Sequence, residues 1–216
     1  QGVGFRPFVY RLATEHGLAG WVRNTTGSVE IAVEGEQGAL AAFVQGLQAE
    51  APPLAQLNEV RLSRRAPNGY TRFEILPSVD DAEAFQPVAA DTAICPDCRR
   101  ELFDPAGRRY RYPFMNCTHC GPRLTIITAL PYDRPNTTMA PFALCPECAA
   151  EYADPANRRF HAQPVACPRC GPRLWLALGA RDLAAGSGPM GEMALRVARE
   201  VVAGGGVLAL KGLGGF

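Results

Sequence analysis

Residues 95–124 read CPDCRRELFDPAGRRYRYPFMNCTHCGPRL, and residues 145–174 read CPECAAEYADPANRRFHAQPVACPRCGPRL. A shift of 50 lays one on the other, and 15 of the 30 positions then coincide: Cys95, Pro96, Cys98, Glu101, Asp104, Pro105, Ala106, Arg108, Arg109, Cys117, Cys120, Gly121, Pro122, Arg123 and Leu124 each meet their twin. The stretch is an internal duplication. Each copy holds two Cys-x-x-Cys pairs with 18 residues between them, and the four pairs use all eight cysteines. One such turn presents two thiolates, and the long spacer closes a tetrahedral cage around zinc. The spacing predicts two zinc sites, built from Cys95, Cys98, Cys117 and Cys120 and from Cys145, Cys148, Cys167 and Cys170. Pairing within each repeat is simplest, although joining the first pair to the fourth satisfies the same count. Four thiolates leave no open position for water, so the metal is structural, and His119 and His161 are read as non-ligands. The repeated spacing argues against disulfides or a redox pair. An 18-residue spacer is wide for an iron–sulfur cluster. The copied unit is small and rich in turns, so metal binding should supply much of its folding free energy.

The duplication divides the chain into three parts: 1–78, 79–185 and 186–216. In the first, 7–16 has a helical apolar pattern closed by Gly17, and 19–25 and 28–34 are β-like runs joined by Thr26-Gly27. Val29, Ile31 and Val33 alternate with Glu30, Ala32 and Glu34. Residues 36–50 form a second helix with Leu40, Phe43, Val44 and Leu47 on one stripe, ended by Pro52-Pro53. Strands are expected over 57–64 and 71–76. The order α-β-β-α-β-β is a split βαβ sandwich lacking only a strand before Gln1. Phe5, Trp21 and Phe43 are read as core. In the third part, 193–202 is an amphipathic helix and 207–210 a buried strand. It leads into the glycine-rich 211–216, where backbone N–H groups can approach a phosphate. The fold class is therefore α+β and multidomain.

Over 216 residues the net charge is +1, which gives no electrostatic case for nucleic acid or an anionic membrane. No apolar run approaches the roughly 18 residues of a membrane helix. No signal peptide is evident at Gln1, where the chain opens without an initiator Met. That start reads as a cut, and a cytoplasmic location is expected. Residues 91–175 hold 11 Arg and no Lys against 8 acidic residues, a net of +3. That is weak support for nucleic-acid binding. The Arg-Arg pairs recur at the same place in both repeats (Arg108-Arg109 and Arg158-Arg159), which suggests ion pairing across the duplicated unit.

Gln1-Gly-Val-Gly-Phe-Arg6 opens directly into the first helix. A glycine-rich loop at a helix N-terminus favours an anion through its unpaired N–H groups and the helix dipole. Arg6 adds a planar fork suited to phosphate oxygens. Asn24 stands at the end of a strand, where its amide can position a water. With no Asp, Cys or His nucleophile near in sequence, the chemistry that fits is hydrolysis of an already reactive phosphate by positioned water.

Gln1-Gly-Val-Gly-Phe-Arg6 resembles the first signature of the acylphosphatase family. The stretch Gly20-Trp-Val-Arg-Asn24-Thr-Thr-Gly27-Ser-Val29, continuing to Gly35, resembles the second. The resemblance covers 1 to about 78 and implies that Gln1, Gly2, Val3, Gly4, Phe5 and Arg6 bind substrate. Arg6 would then be the catalytic phosphate ligand and Asn24 would orient the attacking water. The order of parts is similar to the HypF carbamoyltransferases of NiFe-hydrogenase maturation. In these an acylphosphatase-like domain precedes duplicated zinc fingers and a YrdC-like nucleotide-binding domain, whose start would be residues 186–216 with Lys211 and Gly212 at the nucleotide. That resemblance implies carbamoyl phosphate and ATP with Mg2+ as substrates, a carbamoyl-adenylate intermediate, two structural zinc ions, and transfer to a cysteine of the partner HypE. Two other readings are a stand-alone acylphosphatase on a zinc scaffold and a zinc-ribbon module that binds protein or nucleic acid.

Overall fold

The computed structural model describes residues 2–25, 27–52, 54–79 and 88–212. Helix α1 (Phe5–Glu15) buries Phe8, Val9, Leu12 and Ala13, the stripe its apolar spacing requires. It ends at Gly17, whose φ of 64° turns the chain back so that the Leu18 N–H reaches the Ala13 carbonyl at 2.9 Å. Strand β1 (Ala19–Asn24) then pairs antiparallel with β2 (Val29–Glu34), in a register from Ala19 opposite Glu34 to Asn24 opposite Val29. Of the expected hairpin turn, Thr26 lies outside the described residues. Helix α2 (Gln37–Ala49) follows, and β3 (Phe73–Ile75) adds parallel to β1, giving the sheet order β2-β1-β3.

Phe8, Val9, Leu12, Val22, Phe43, Leu47 and Phe73 form one core between the helices and this sheet. Burying each of these large side chains contributes about 1.5–3 kcal/mol. A side chain at Gly46 would collide with Leu12, so this glycine sets the close approach of α2 to α1. The period of two along β1 puts Val22 and Asn24 on the buried face and Trp21 on the other. Phe43 is core as expected, and Phe5 packs half-buried against it. Trp21 is not core: it lies half-buried on the far face, donating to the Tyr70 hydroxyl at 3.1 Å under the guanidinium of Arg23.

The expected strand over 57–64 is not formed. The segment is extended and exposed, with Leu62 69% accessible, and it has no ladder partner among the described residues. An isolated strand has nowhere to place its backbone hydrogen bonds. Residues 54–62 instead line one cleft together with Ile31 and Val33 of β2. Of the Pro52-Pro53 stop, Pro53 lies outside the described residues.

In the cysteine repeats, the first Cys-x-x-Cys of each copy opens a short helix: α3 (Pro96–Leu102) after Cys95 and α4 (Pro146–Ala153) after Cys145. Proline at the first helical position suits a site whose N–H is unpaired anyway, and Asp97 or Glu147 in the first turn complements the helix dipole. Tyr112, Ile126, Tyr132, Met139 and Ala166 form a second core, which packs the link between the repeats against both of them.

Helices α5 (Ala180–Ala185) and α6 (Gly191–Ala203) complete the described structure. The expected buried strand over 207–210 is corrected: the segment is extended, and Val207 is 96% exposed. A strand needs neighbours, and no other strand adjoins it among the described residues. Lys211 and Gly212 are exposed, and the rest of the expected glycine-rich strand end, 213–216, lies outside the described residues. Among the described residues no helix is long and apolar enough to cross a membrane.

Candidate functional site

The loop before α1 adopts conformations that require glycine: Gly2 has φ 81° and Gly4, the N-cap of α1, φ 74°. A side chain at Gly2 would also press on Arg123 and Tyr132. The N–H groups of the first turn of α1, which have no carbonyl partner within the helix, are thus presented beside Arg6. Arg6 is buried. Its Nη1 donates to Ser78 Oγ at 3.0 Å, and its Nη2 donates to Asp133 Oδ1 at 2.6 Å and to the Tyr132 carbonyl at 3.4 Å. Asn24, also buried, closes β1, and its carbonyl accepts from the Val79 N–H at 2.9 Å.

Gly2, Val3, Gly4, Phe5, Arg6 and Asn24 line a single cleft of about 1010 Å³. Gln1, expected with them, lies outside the described residues. Lys211 and Gly212 do not line this cleft.

The other wall comes from the cysteine repeats and the link between them: Thr118, Arg123, Tyr132, His161 and Gln163. Arg123 fastens the two walls together. It donates to the carbonyls of Cys120 at 2.9 Å and Thr118 at 2.9 Å, and its Nε donates to the Gly2 carbonyl. His161 packs against Tyr152 and Phe160. Burial pushes its pKa down to about 4, and the charge of Arg6 adds to the fall. His161 is therefore a neutral wall residue at neutral pH, and it joins neither cysteine cluster. Sequence reading did not find Arg123, Tyr132, Asp133 or Gln163 as site residues. Arg123 sits in the repeated Gly-Pro-Arg-Leu but differs from its twin in touching the loop. Asp133 falls in the link between the repeats, where no motif draws attention to it.

The cysteines gather within each repeat. Cys95, Cys98, Cys117 and Cys120 form one cluster and Cys145, Cys148, Cys167 and Cys170 the other, with the four Sγ atoms of each within 4.8 Å of one another. All eight are free thiols, and six are buried. Such crowding resists ionisation without a cation. Cys117 and Cys120 push the pKa of Cys98 far up, while hydrogen bonds from Cys117 and Cys98 pull Cys120 down, so one thiolate forms easily and the next does not. A soft dication removes that conflict, and the all-sulfur donor set suits a structural zinc ion in each cluster. His119 joins neither cluster.

The repeated arginines cross between the modules. Arg108 and Arg109 of the first repeat pair with Glu151 of the second at 2.6 and 2.5 Å, and each reaches Cys148 Sγ at 3.3 Å. Reciprocally, Arg158 and Arg159 pair with Glu101, Arg159 at 2.7 Å, and Arg158 reaches Cys98 Sγ at 3.0 Å. Each cluster thus receives guanidinium N–H groups from the other repeat. Burial pushes Glu151 up, but Arg109 and Arg108 outweigh it and hold the carboxyl at about 2.

Comparison with known proteins places these features together. The family described as Acylphosphatase matches residues 1–75, and the HypF finger matches 94–127 and 144–177. The chain is 51% identical over all of its 216 residues to a carbamoyltransferase HypF of Rhodobacter capsulatus, of which it covers 28%. It is 44% identical over 80 residues, 37% of its own length, to an acylphosphatase of Moorella thermoacetica, of which it covers 85%. A crystal structure of full-length HypF in a phosphate- and nucleotide-bound form superposes with a TM-score of 0.90 at 41% identity. That alignment covers 100% of this chain and 27% of the other. The chain thus spans about a quarter of the length of these HypF proteins.

Proposed function

We propose, for a chain that belongs to the HypF carbamoyltransferase family and carries its acylphosphatase domain and HypF fingers, that the cleft at Arg6 cleaves carbamoyl phosphate as the entry step of carbamoyl transfer. The observation that carries this reading is the meeting of Arg6, the α1 N-terminus and Asn24 in one cleft. The phosphate sits at the N–H groups of the first helical turn and on the Arg6 fork, where backbone dipole and guanidinium both favour negative charge. The Asn24 amide holds a water for attack on phosphorus. The phosphorus–oxygen bond to the carbamoyl group breaks, and carbamate and phosphate result. Positioning and charge stabilisation supply the rate, with no covalent intermediate.

In the intact protein the remaining steps follow by chemistry. Carbamate attacks the α-phosphorus of ATP, with Mg2+ on the phosphates, to give carbamoyl-adenylate and pyrophosphate. A cysteine thiolate of HypE then takes the carbamoyl group and releases AMP. Residues 1–78 form the hydrolytic domain and 79–185 the finger domain. Residues 186–216 belong to a YrdC-like nucleotide-binding domain that includes Lys211 and Gly212. Two zinc ions hold the fingers through cysteines that form no disulfide, which suits the reducing cytoplasm. The family's phosphate- and nucleotide-bound relative supports this assignment of substrates.

The test is phosphate release from carbamoyl phosphate by the intact protein, with and without ATP and Mg2+. Release is expected without ATP, and pyrophosphate formation only when carbamoyl phosphate, ATP and Mg2+ are all present. Failure to release phosphate without ATP contradicts the assignment of the cleft. ATP-independent hydrolysis with no pyrophosphate formed at all favours a simple acylphosphatase.

A further inference from the structure

Arg6 belongs to α1, but its grip comes largely from the segment joining the two fingers. Its Nη2 is held by Asp133 Oδ1 at 2.6 Å and the Tyr132 carbonyl at 3.4 Å, and its Nη1 by Ser78 Oγ at 3.0 Å. The Arg6 side chain is 9% exposed and that of Asp133 26%. A guanidinium carries five N–H donors in one plane, and these contacts engage three of them. Arg6 lines the cleft, whereas Asp133 and Ser78 do not. The carboxylate therefore holds the fork from the side turned away from the cleft and leaves its other donors for a ligand. Taking the cleft as the acyl-phosphate site proposed above, we propose that Asp133 is a positioning residue for that hydrolysis. It fixes the plane of the Arg6 guanidinium before phosphate arrives.

Two physical terms support this. An arginine side chain carries about 2 kcal/mol of rotamer entropy, which a preformed contact removes in advance of binding. A buried cation without a counter-charge is also strongly unfavourable, so Asp133 keeps Arg6 inside the cleft when no phosphate is there. The finger region then contributes to hydrolysis directly, through the link between its two modules, as well as bracing the loop through Arg123.

The opposite arrangement, in which Asp133 competes with phosphate for Arg6, makes the opposite prediction. The experiment compares Asp133→Asn, Asp133→Glu and Arg6→Ala, and combines Asp133→Asn with Arg6→Ala, in the intact protein. It reads inhibition by inorganic phosphate, KM and kcat for carbamoyl phosphate, and zinc content. Asp133→Asn is expected to weaken phosphate binding about 10-fold, the loss of one charge-assisted hydrogen bond, and to lower kcat. Asp133→Glu is expected to recover part of both. Zinc content should not change, and Asp133→Asn should add nothing on top of Arg6→Ala. Tighter phosphate binding, unchanged kinetics, additive losses or a drop in zinc in Asp133→Asn would each overturn the positioning role. Arg6→Ala with wild-type hydrolysis would instead sink the reading of the cleft itself.

Discussion

Glu151→Gln tests whether the crossed arginines hold the two fingers together. Glu151 accepts from Arg108 at 2.6 Å and from Arg109 at 2.5 Å, and Arg109 is only 1% exposed. Moving the carboxyl from the usual 4.5 to about 2 corresponds to roughly 3 kcal/mol. A fifth of the carboxylate is open to water, and screening reduces that to about 1–2 kcal/mol. Losing one partner of a buried pair costs about 3–5 kcal/mol when nothing else compensates. Arg109, however, keeps the Ala166 carbonyl at 2.7 Å and Cys148 Sγ at 3.3 Å. We therefore expect about 2 kcal/mol, a shift in urea midpoint of about 1 M. The assay follows unfolding together with zinc release to a chromophoric chelator. Zinc should leave both clusters earlier, because each cluster takes guanidinium donors from the other repeat. Glu101→Gln should behave alike through Arg158 and Arg159. Glu147→Gln is the control: its pair with Arg169 is 54% and 68% exposed, so solvent screens it and its loss should hardly move the urea midpoint. If Glu151→Gln matches that control in stability and zinc retention, the cross-braced account of the fingers is wrong.

The pKa of Glu151 is depressed on folding, so its contribution is fully present above about 4.5 and is lost as pH falls toward 2. Glu151→Gln should therefore flatten the acid limb of the stability curve in that window, as followed by denaturant titration at several pH values. His161 is depressed from 6.5 to about 4, so the unfolded chain takes up its proton first and stability falls as pH drops through that interval. His161→Asn, which tolerates the φ of 53° found there, should remove about one proton from the slope measured between those pH values. Removing zinc with a strong chelator should unfold the fingers and abolish phosphate binding at Arg6, since Arg123, Tyr132 and Asp133 all come from that region; phosphate binding by calorimetry before and after chelation measures it. Gly20→Ala should prevent folding of the sheet, because a side chain at φ 141° would run into the Ala32 backbone, and loss of far-UV circular dichroism would report it.

The parts legible in the sequence were those governed by local rules. The four Cys-x-x-Cys turns specify their own geometry, and the structure settles the pairing left open, within each repeat. The recurring Arg-Arg pairs carried the ion pairing between repeats. The helices at 5–15 and 37–49 and the hairpin followed from apolar periodicity. The two strands that failed, over 57–64 and 207–210, have adequate β composition. A strand is made by its neighbour, and composition cannot supply one. Trp21 was misplaced because aromatic bulk suggests a core, whereas the alternation along β1 puts it on the other face. Asp133 was invisible because its role depends on a contact 127 residues away, with Arg6.

The central claim is that Arg6 makes the cleft a site for acyl-phosphate hydrolysis. The most direct measurement is the rate of phosphate release from carbamoyl phosphate by the intact Arg6→Ala protein, alongside its zinc content. We predict a fall of at least about 10²-fold with two zinc ions retained. Phosphate release at the wild-type rate would contradict the claim.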